Sequence, residues 1–167
     1  MIKNIINRIT DPNIKQRIRS NLDSNTLRLI EKFLDSSFNM RFTFEKNPGL
    51  LLSFTENRRI NYKDYKKYLF SEYHELISSD KYIPIFSGLR RIKNIEIARL
   101  CIDDFLEKIN VFQTSSLLSE LADFLIEHAV RGTLLDAEIN ESITYDYLKE
   151  NLFIIGMGKL GGKELNV

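Results

Sequence analysis

Between Leu89 and Ile109 the apolar residues Ile92, Ile95, Ala98, Ile102, Phe105 and Ile109 recur at helical steps, and Leu118, Leu121, Ala122, Leu125 and Ala129 do the same between Leu117 and Leu135. That spacing gathers side chains on one face of a helix and scatters them over both faces of a strand. Residues Asn110 to Ser116 join the two patterns, a connection short enough to lay two long helices antiparallel. Thr114, Ser115 or Ser116 is the expected cap of the second helix. A helical bundle is the packing that such a pair predicts.

The chain before this pair reads the same way. Asp11-Pro12 offers an N-cap followed by proline at the first helical position, where its missing N–H costs nothing. Ser24 to Ser36 repeats Leu27, Ile30, Phe33 and Leu34 on one face, so a second helix is predicted there, with Asn21 to Asp23 as the turn between. Arg41-Phe42-Thr43-Phe44 alternates too briefly for a strand, and Asn47-Pro48-Gly49 is the strongest breaker. From Asn61 to Ser79, Tyr62, Tyr65, Leu69, Tyr73, Leu76 and Ile77 predict an amphipathic helix.

Composition enters as a set of exclusions. Only 7 Gly and 3 Pro among 167 residues disfavour disorder and a turn-rich all-β fold, while 43% apolar residues suffice for a core. With 24 Lys and Arg against 23 Asp and Glu, no global field recommends nucleic acid or an anionic membrane as partner. Cys101 is the single cysteine, so there is no internal disulfide and no multi-cysteine metal site, and a reducing compartment, the cytoplasm, is expected. Met1 to Thr10 lacks a signal-peptide core, and no stretch approaches the roughly 18 apolar residues of a membrane span.

The character changes near residues 138 to 151. Leu152-Phe153-Ile154-Ile155 is a short apolar run ending in glycines, which predicts a buried strand. A lone buried strand leaves backbone donors and acceptors without partners, so the sheet it belongs to lies outside these residues. Gly156-x-Gly158-x-x-Gly161 then matches the dinucleotide fingerprint letter for letter, but that fingerprint needs an acidic residue about 20 positions on, and six residues follow Gly161. A phosphate-loop reading fails because Lys159 lacks the upstream glycine spacing and is followed by Leu160 rather than Ser or Thr. A ligand-free glycine turn is the plain alternative.

The string Gly156-Met157-Gly158-Lys159-Leu160-Gly161-Gly162-Lys163-Glu164-Leu165-Asn166-Val167 resembles the segment that opens each nucleotidyltransferase domain of glutamine synthetase adenylyltransferase. Leu89-Arg90-Arg91 and Leu118-Ser119-Glu120-Leu121-Ala122 also resemble that family's amino-terminal part. The resemblance implies a mainly α fold: a helical region over 1–140, followed over 141–167 by the first strand and glycine turn of an incomplete polymerase-β-like α/β nucleotidyltransferase domain. By the same resemblance, Gly161 and Gly162 match a glycine pair that lets the backbone approach nucleotide phosphates, since glycine has no Cβ to obstruct a phosphate. Lys159 and Lys163 either add positive charge there or sit as solvated surface residues.

The family continues with an Asp-x-Asp strand whose carboxylates hold two Mg²⁺ ions for AMP transfer from ATP, or for phosphorolytic removal of AMP as ADP. Those carboxylates do not occur after the glycines here, so neither a catalytic nor a metal residue is assigned and the chain is expected to be an inactive amino-terminal fragment. Glutamine synthetase and a nitrogen-regulatory protein are the partners the resemblance implies. The alternative is a helical interaction module that binds glutamine synthetase, a regulatory protein or a separately encoded remainder of the enzyme.

No rival site emerges from other residues. Asp103 and Asp104 are adjacent on a helix, so their side chains diverge by about 100°. His74 and His128 are isolated, and Cys101 lies in an apolar helical run where a thiol is usually inert. Arg58-Arg59 and Arg90-Arg91 read as solvated clusters, and Tyr62, Tyr65 and Tyr68 as packing residues.

Overall fold

The structure is a computed structural model that describes residues 2–55, 62–78, 82–136 and 145–165. Short helices come first: α1 (Ile2–Asn7), α2 (Pro12–Asn21), α3 (Ser24–Ser36), α4 (Phe38–Lys46) and, after a 3₁₀ turn over Pro48–Leu51, α5 (Leu52–Thr55). A second 3₁₀ turn, Tyr62–Asp64, leads into α6 (Tyr65–Ile77), and the two longest helices, α7 (Tyr82–Phe105) and α8 (Val111–Asp136), follow. The short helices α9 (Tyr145–Asn151) and α10 (Gly158–Gly161) complete the series. The mainly helical expectation holds, and no strand occurs among the described residues.

Local chemistry explains the helix starts. Asp11 caps α2 by accepting from the Asn13 and Ile14 amides at 2.8 and 3.3 Å, with Pro12 at the first position. Asp23 caps α3 through the Thr26 amide at 2.6 Å; that bond holds its carboxyl below the usual carboxylate range. The start of α8 differs from expectation. Asn110 is the cap, accepting from the Gln113 amide while its own amide donates to Gln113 Oε1, both at 3.0 Å. This reciprocal pair is a capping box, and it places the helix start at Val111, ahead of Thr114, Ser115 and Ser116.

Helix α4 was not expected. Ser37 caps it at the Met40 amide, and only Phe44 is buried, while Phe38 and Phe42 on the same helix stay exposed. Its apolar residues therefore follow no single buried stripe, which hid the helix from a periodicity reading. Helix α7 begins seven residues before Leu89, with Pro84 in its first turn, where a proline is tolerated. It ends at Phe105 in a Schellman closure: Lys108 N–H donates to Asp103 C=O at 2.8 Å, Glu107 N–H donates to Asp104 C=O at 2.9 Å, and Glu107 takes φ 56°.

The residues divide into two compact units, one of 1–59 with 94–109 and the other of 60–93 with 110–167. The boundary expected near 140 follows sequence character and is a different division. In the first unit, Ile5, Ile18, Ile30, Leu34, Phe44 and Leu51 are buried around Phe33, whose ring meets Phe54 and Phe105 edge-on at 5.4 Å and Phe44 at 6.0 Å. Glu96 is buried in the same unit and paired with Arg99 at 2.5 Å, one turn along the helix.

In the second unit α6 packs on α8, burying Tyr65, Leu69, Tyr73 and Ile77 on one side and Leu117, Leu121 and Phe124 on the other. Arg131 reaches across to the Ile77 carbonyl at 3.2 Å. A Cβ on Gly132, late in α8, would stand 3.1 Å from Ile85 early in α7, so these helix ends approach as an antiparallel pair would.

Candidate functional site

The glycine string lies in the second unit, after a segment that the structure reports differently from expectation. Leu152 to Ile155 carries no regular secondary structure, and Phe153 and Ile155 are 83% and 81% exposed, where a buried strand was expected. The physical reason is the one that made the strand an anomaly: no neighbouring strand among the described residues takes up its backbone groups. Met157 is equally exposed, in extended backbone at φ −116° and ψ 164°, and leads directly into the single turn α10.

Three positions give α10 its shape. Gly158 takes φ +56°, a region that L side chains seldom enter, and nothing lies within 4 Å of where its Cβ would stand. Gly161 has an ordinary φ but faces the Gly156 carbonyl so closely that a Cβ would overlap that backbone oxygen. Lys163 takes φ 54°, a left-handed conformation without glycine's exemption. Gly162 requires neither device: its φ is −79°, and the nearest atoms to an added Cβ lie at ordinary contact distance.

The amides of the string are bonded within it. Gly161 N–H reaches Met157 C=O at 3.4 Å and Gly162 N–H reaches Gly158 C=O at 2.9 Å. Lys163 N–H donates to Leu160 C=O at 3.1 Å and Glu164 N–H to Lys159 C=O at 2.7 Å. The last two bonds, with the left-handed residue at Lys163, form the same Schellman closure that ends α7. Gly161, Gly162 and Lys159 lie on one exposed turn, while the part that Gly156, Gly158 and Lys163 play in its geometry was not read from the sequence. For the glycines the Gly-x-Gly-x-x-Gly spacing was the available signal; nothing in the sequence marks Lys163.

The remaining residues assemble no second centre among the described residues, where no group of three or more His, Cys, Asp or Glu could hold a metal ion. The side chains of the described residues do not fit a two-Mg²⁺ site. Asp103 is buried and paired with Lys108 at 3.3 Å, whereas its neighbour Asp104 is exposed. His128 is buried against Phe124 and bonds through Nδ1 to the Phe124 carbonyl at 2.8 Å, and His74 is exposed beside Phe70. Burial, with the Asp104 charge second, pushes the Cys101 thiol up to about 11, so it is a poor nucleophile. Arg90 and Arg91 are exposed; Arg58 and Arg59 lie outside the described residues. Tyr62, Tyr65 and Tyr68 pack on one another at 5.9 Å centroid spacing, with Tyr65 buried. No described helix is long and apolar enough to cross a membrane.

Comparison with known proteins supplies the family. The family described as Glutamate-ammonia ligase adenylyltransferase matches residues 28–167. The chain is 25% identical over 159 residues to the bifunctional glutamine synthetase adenylyltransferase/adenylyl-removing enzyme of Psychromonas ingrahamii, a match that covers 90% of this chain and 17% of that protein. Proteins of the same description from Alteromonas mediterranea and Shewanella frigidimarina are 34% and 40% identical over 83 residues, covering 49% and 48% of this chain and 8% and 9% of theirs. No solved structure matches. The chain belongs to the glutamate-ammonia ligase adenylyltransferase family, and it spans about a sixth of the length of the Psychromonas relative.

Proposed function

We propose that this chain serves the regulation of nitrogen assimilation by AMP transfer to, and phosphorolytic removal from, a glutamine synthetase tyrosine, working in the cytoplasm with glutamine synthetase and a nitrogen-regulatory protein as partners. Residues 1–140 act as the helical amino-terminal region, and 141–167 act as the opening strand and glycine turn of a polymerase-β-like nucleotidyltransferase domain. The single observation that carries this reading is the family match through the glycine string. Within that string Gly161, Gly162 and Lys159 meet the nucleotide phosphates of ATP or ADP. Leu152 to Ile155, apolar, exposed and free of a ladder, suits an element that pairs with strands supplied by further polypeptide.

Mg²⁺-dependent phosphoryl chemistry needs carboxylate ligands, and no cluster able to hold a metal ion stands beside the glycines among the described residues, so these residues by themselves are inactive in AMP turnover. Purified chain incubated with adenylylated glutamine synthetase, phosphate and Mg²⁺ is expected to release no ADP; robust release overturns this part of the proposal. A second reading, a helical module that binds glutamine synthetase, a regulatory protein or a separately encoded remainder of the enzyme, is favoured by Phe38 and Phe42. They stand exposed one turn apart on α4, with Lys46 5.6 Å over the Phe42 ring. Titration against glutamine synthetase tests it: saturable binding at micromolar concentration supports it, and none counts against it.

A further inference from the structure

Charge is spread unevenly along the chain. Residues 1–22 carry Lys3, Arg8, Lys15, Arg17 and Arg19 against a single carboxylate, Asp11, whereas the rest of the chain holds more Asp and Glu than Lys and Arg. These residues precede 28–167, the span that matches the family, so the family match does not account for them. They form α1 and α2 of the first unit. There Arg8 is paired with Glu45 at 3.4 Å, and Asp11 is engaged in capping α2. Lys15 and Arg19 have no carboxylate partner among the described residues; Lys15 reaches only the Asn7 carbonyl, at 3.4 Å.

Lys15 and Arg19 stand one turn apart on the same face of α2, a spacing at which like charges destabilise a helix. Gln16 and Ser20 repeat that step beside them, and with Pro12 these residues line an open groove of about 460 Å³. Shape and charge therefore coincide: a concave surface focuses the field of the cations that line it, and an anion seated there would relieve their repulsion. None of the large apolar side chains exposed among the described residues lies in α1 or α2. The groove thus offers no ring on which a base could stack and no apolar wedge for a bilayer. Two cations about 6 Å apart match two carboxylates at similar separation, and the Gln16 amide beside them can both donate to and accept from a peptide backbone.

We propose that this face of α2 is a docking surface for an acidic peptide segment of a partner protein, with Lys15 and Arg19 each meeting a carboxylate and Gln16 the backbone beside them. The proposal is independent of what the glycine string binds.

The test titrates the whole chain into fluorescein-labelled hexaglutamate at low ionic strength and reads fluorescence anisotropy. Saturable binding is expected, weakening as salt is added. The double variant Lys15→Gln/Arg19→Gln should bind about tenfold more weakly, the size of two partly exposed charge contacts. The exchanged variant Lys15→Arg/Arg19→Lys keeps both charges and should bind within about twofold of the unaltered chain. Arg90→Gln/Arg91→Gln removes the same charge from two exposed positions of the second unit and should also stay within about twofold. No saturable binding by the unaltered chain overturns the proposal. So does an equal loss in the Arg90/Arg91 variant, which would make net charge the cause, or an equal loss in the exchanged variant, which would make it the fold. Tighter binding of oligothymidylate or phosphatidylserine vesicles through Lys15 and Arg19 overturns the assignment to a peptide.

Discussion

The first unit and the glycine string are both built from short helical turns, but they are held by different forces. Helices α1 to α5 are individually too short to persist in water, and they are fixed by a shared apolar interior around Phe33, Phe44, Phe54 and Phe105. The string has no buried residue in α10 and is shaped by backbone bonds, one close glycine approach and two left-handed residues. Burial makes the first region stable and chemically inert. The second gives up that stability and stands exposed, with its amides bonded within the turn.

The sharpest way to break this contrast is to remove an interior ring. Phe44→Ala deletes a fully buried side chain in contact with two other aromatic rings and should lower unfolding free energy by about 3–5 kcal/mol, measured by urea denaturation. A loss comparable to that of a surface substitution would mean that the short helices are not held by this cluster. Gly161→Ala sets a Cβ on the Gly156 carbonyl and should destabilise the closed turn by about 1–3 kcal/mol while leaving the main unfolding transition in place. A fall in that transition matching the interior substitution would erase the distinction between the regions.

The sequence is legible to different depths in the two regions. The α3 bounds, the Asp11-Pro12 start and the existence of the long helices follow from caps and from apolar period, because there the pattern and the burial agree. Helix α4 escapes because Phe38 and Phe42 are apolar yet exposed, so its pattern reports no buried face. The strand at Leu152 to Ile155 rests on a short apolar run that ends in glycines and on the family resemblance, and neither supplies the neighbour that a ladder requires. In the site, the glycines stand out by spacing, whereas Lys163 is an ordinary letter whose role depends on a dihedral angle.

A pH experiment sharpens the comparison further. The folded state holds the Cys101 thiol at about 11, above its ordinary value of 9.0, so it favours the protonated form. Its contribution to stability is therefore complete below the unfolded value and is lost as pH rises from there through about 11. Alkylation at pH 8 should run on the order of a hundredfold slower than for a free thiol, as a mass-spectrometric time course would show. Rapid labelling would mean that the helix around Cys101 opens as readily as the string. The smallest effect is expected at Gly162→Ala, within about 0.5 kcal/mol, because its φ is helical and an added Cβ would meet its neighbours at ordinary contact distance.

The central claim is that stability resides in the helical units, and that the nucleotide contact proposed above belongs to the string from Gly156 to Leu165. Hydrogen exchange read by mass spectrometry, with and without ADP, tests it in one experiment. The account expects slow exchange across α3, α6 and the middle of α8, fast exchange in the peptide covering the string, and ADP-dependent slowing confined to that peptide. Slow exchange of the string in the free chain, or ADP protection falling in the long helices instead, would contradict it.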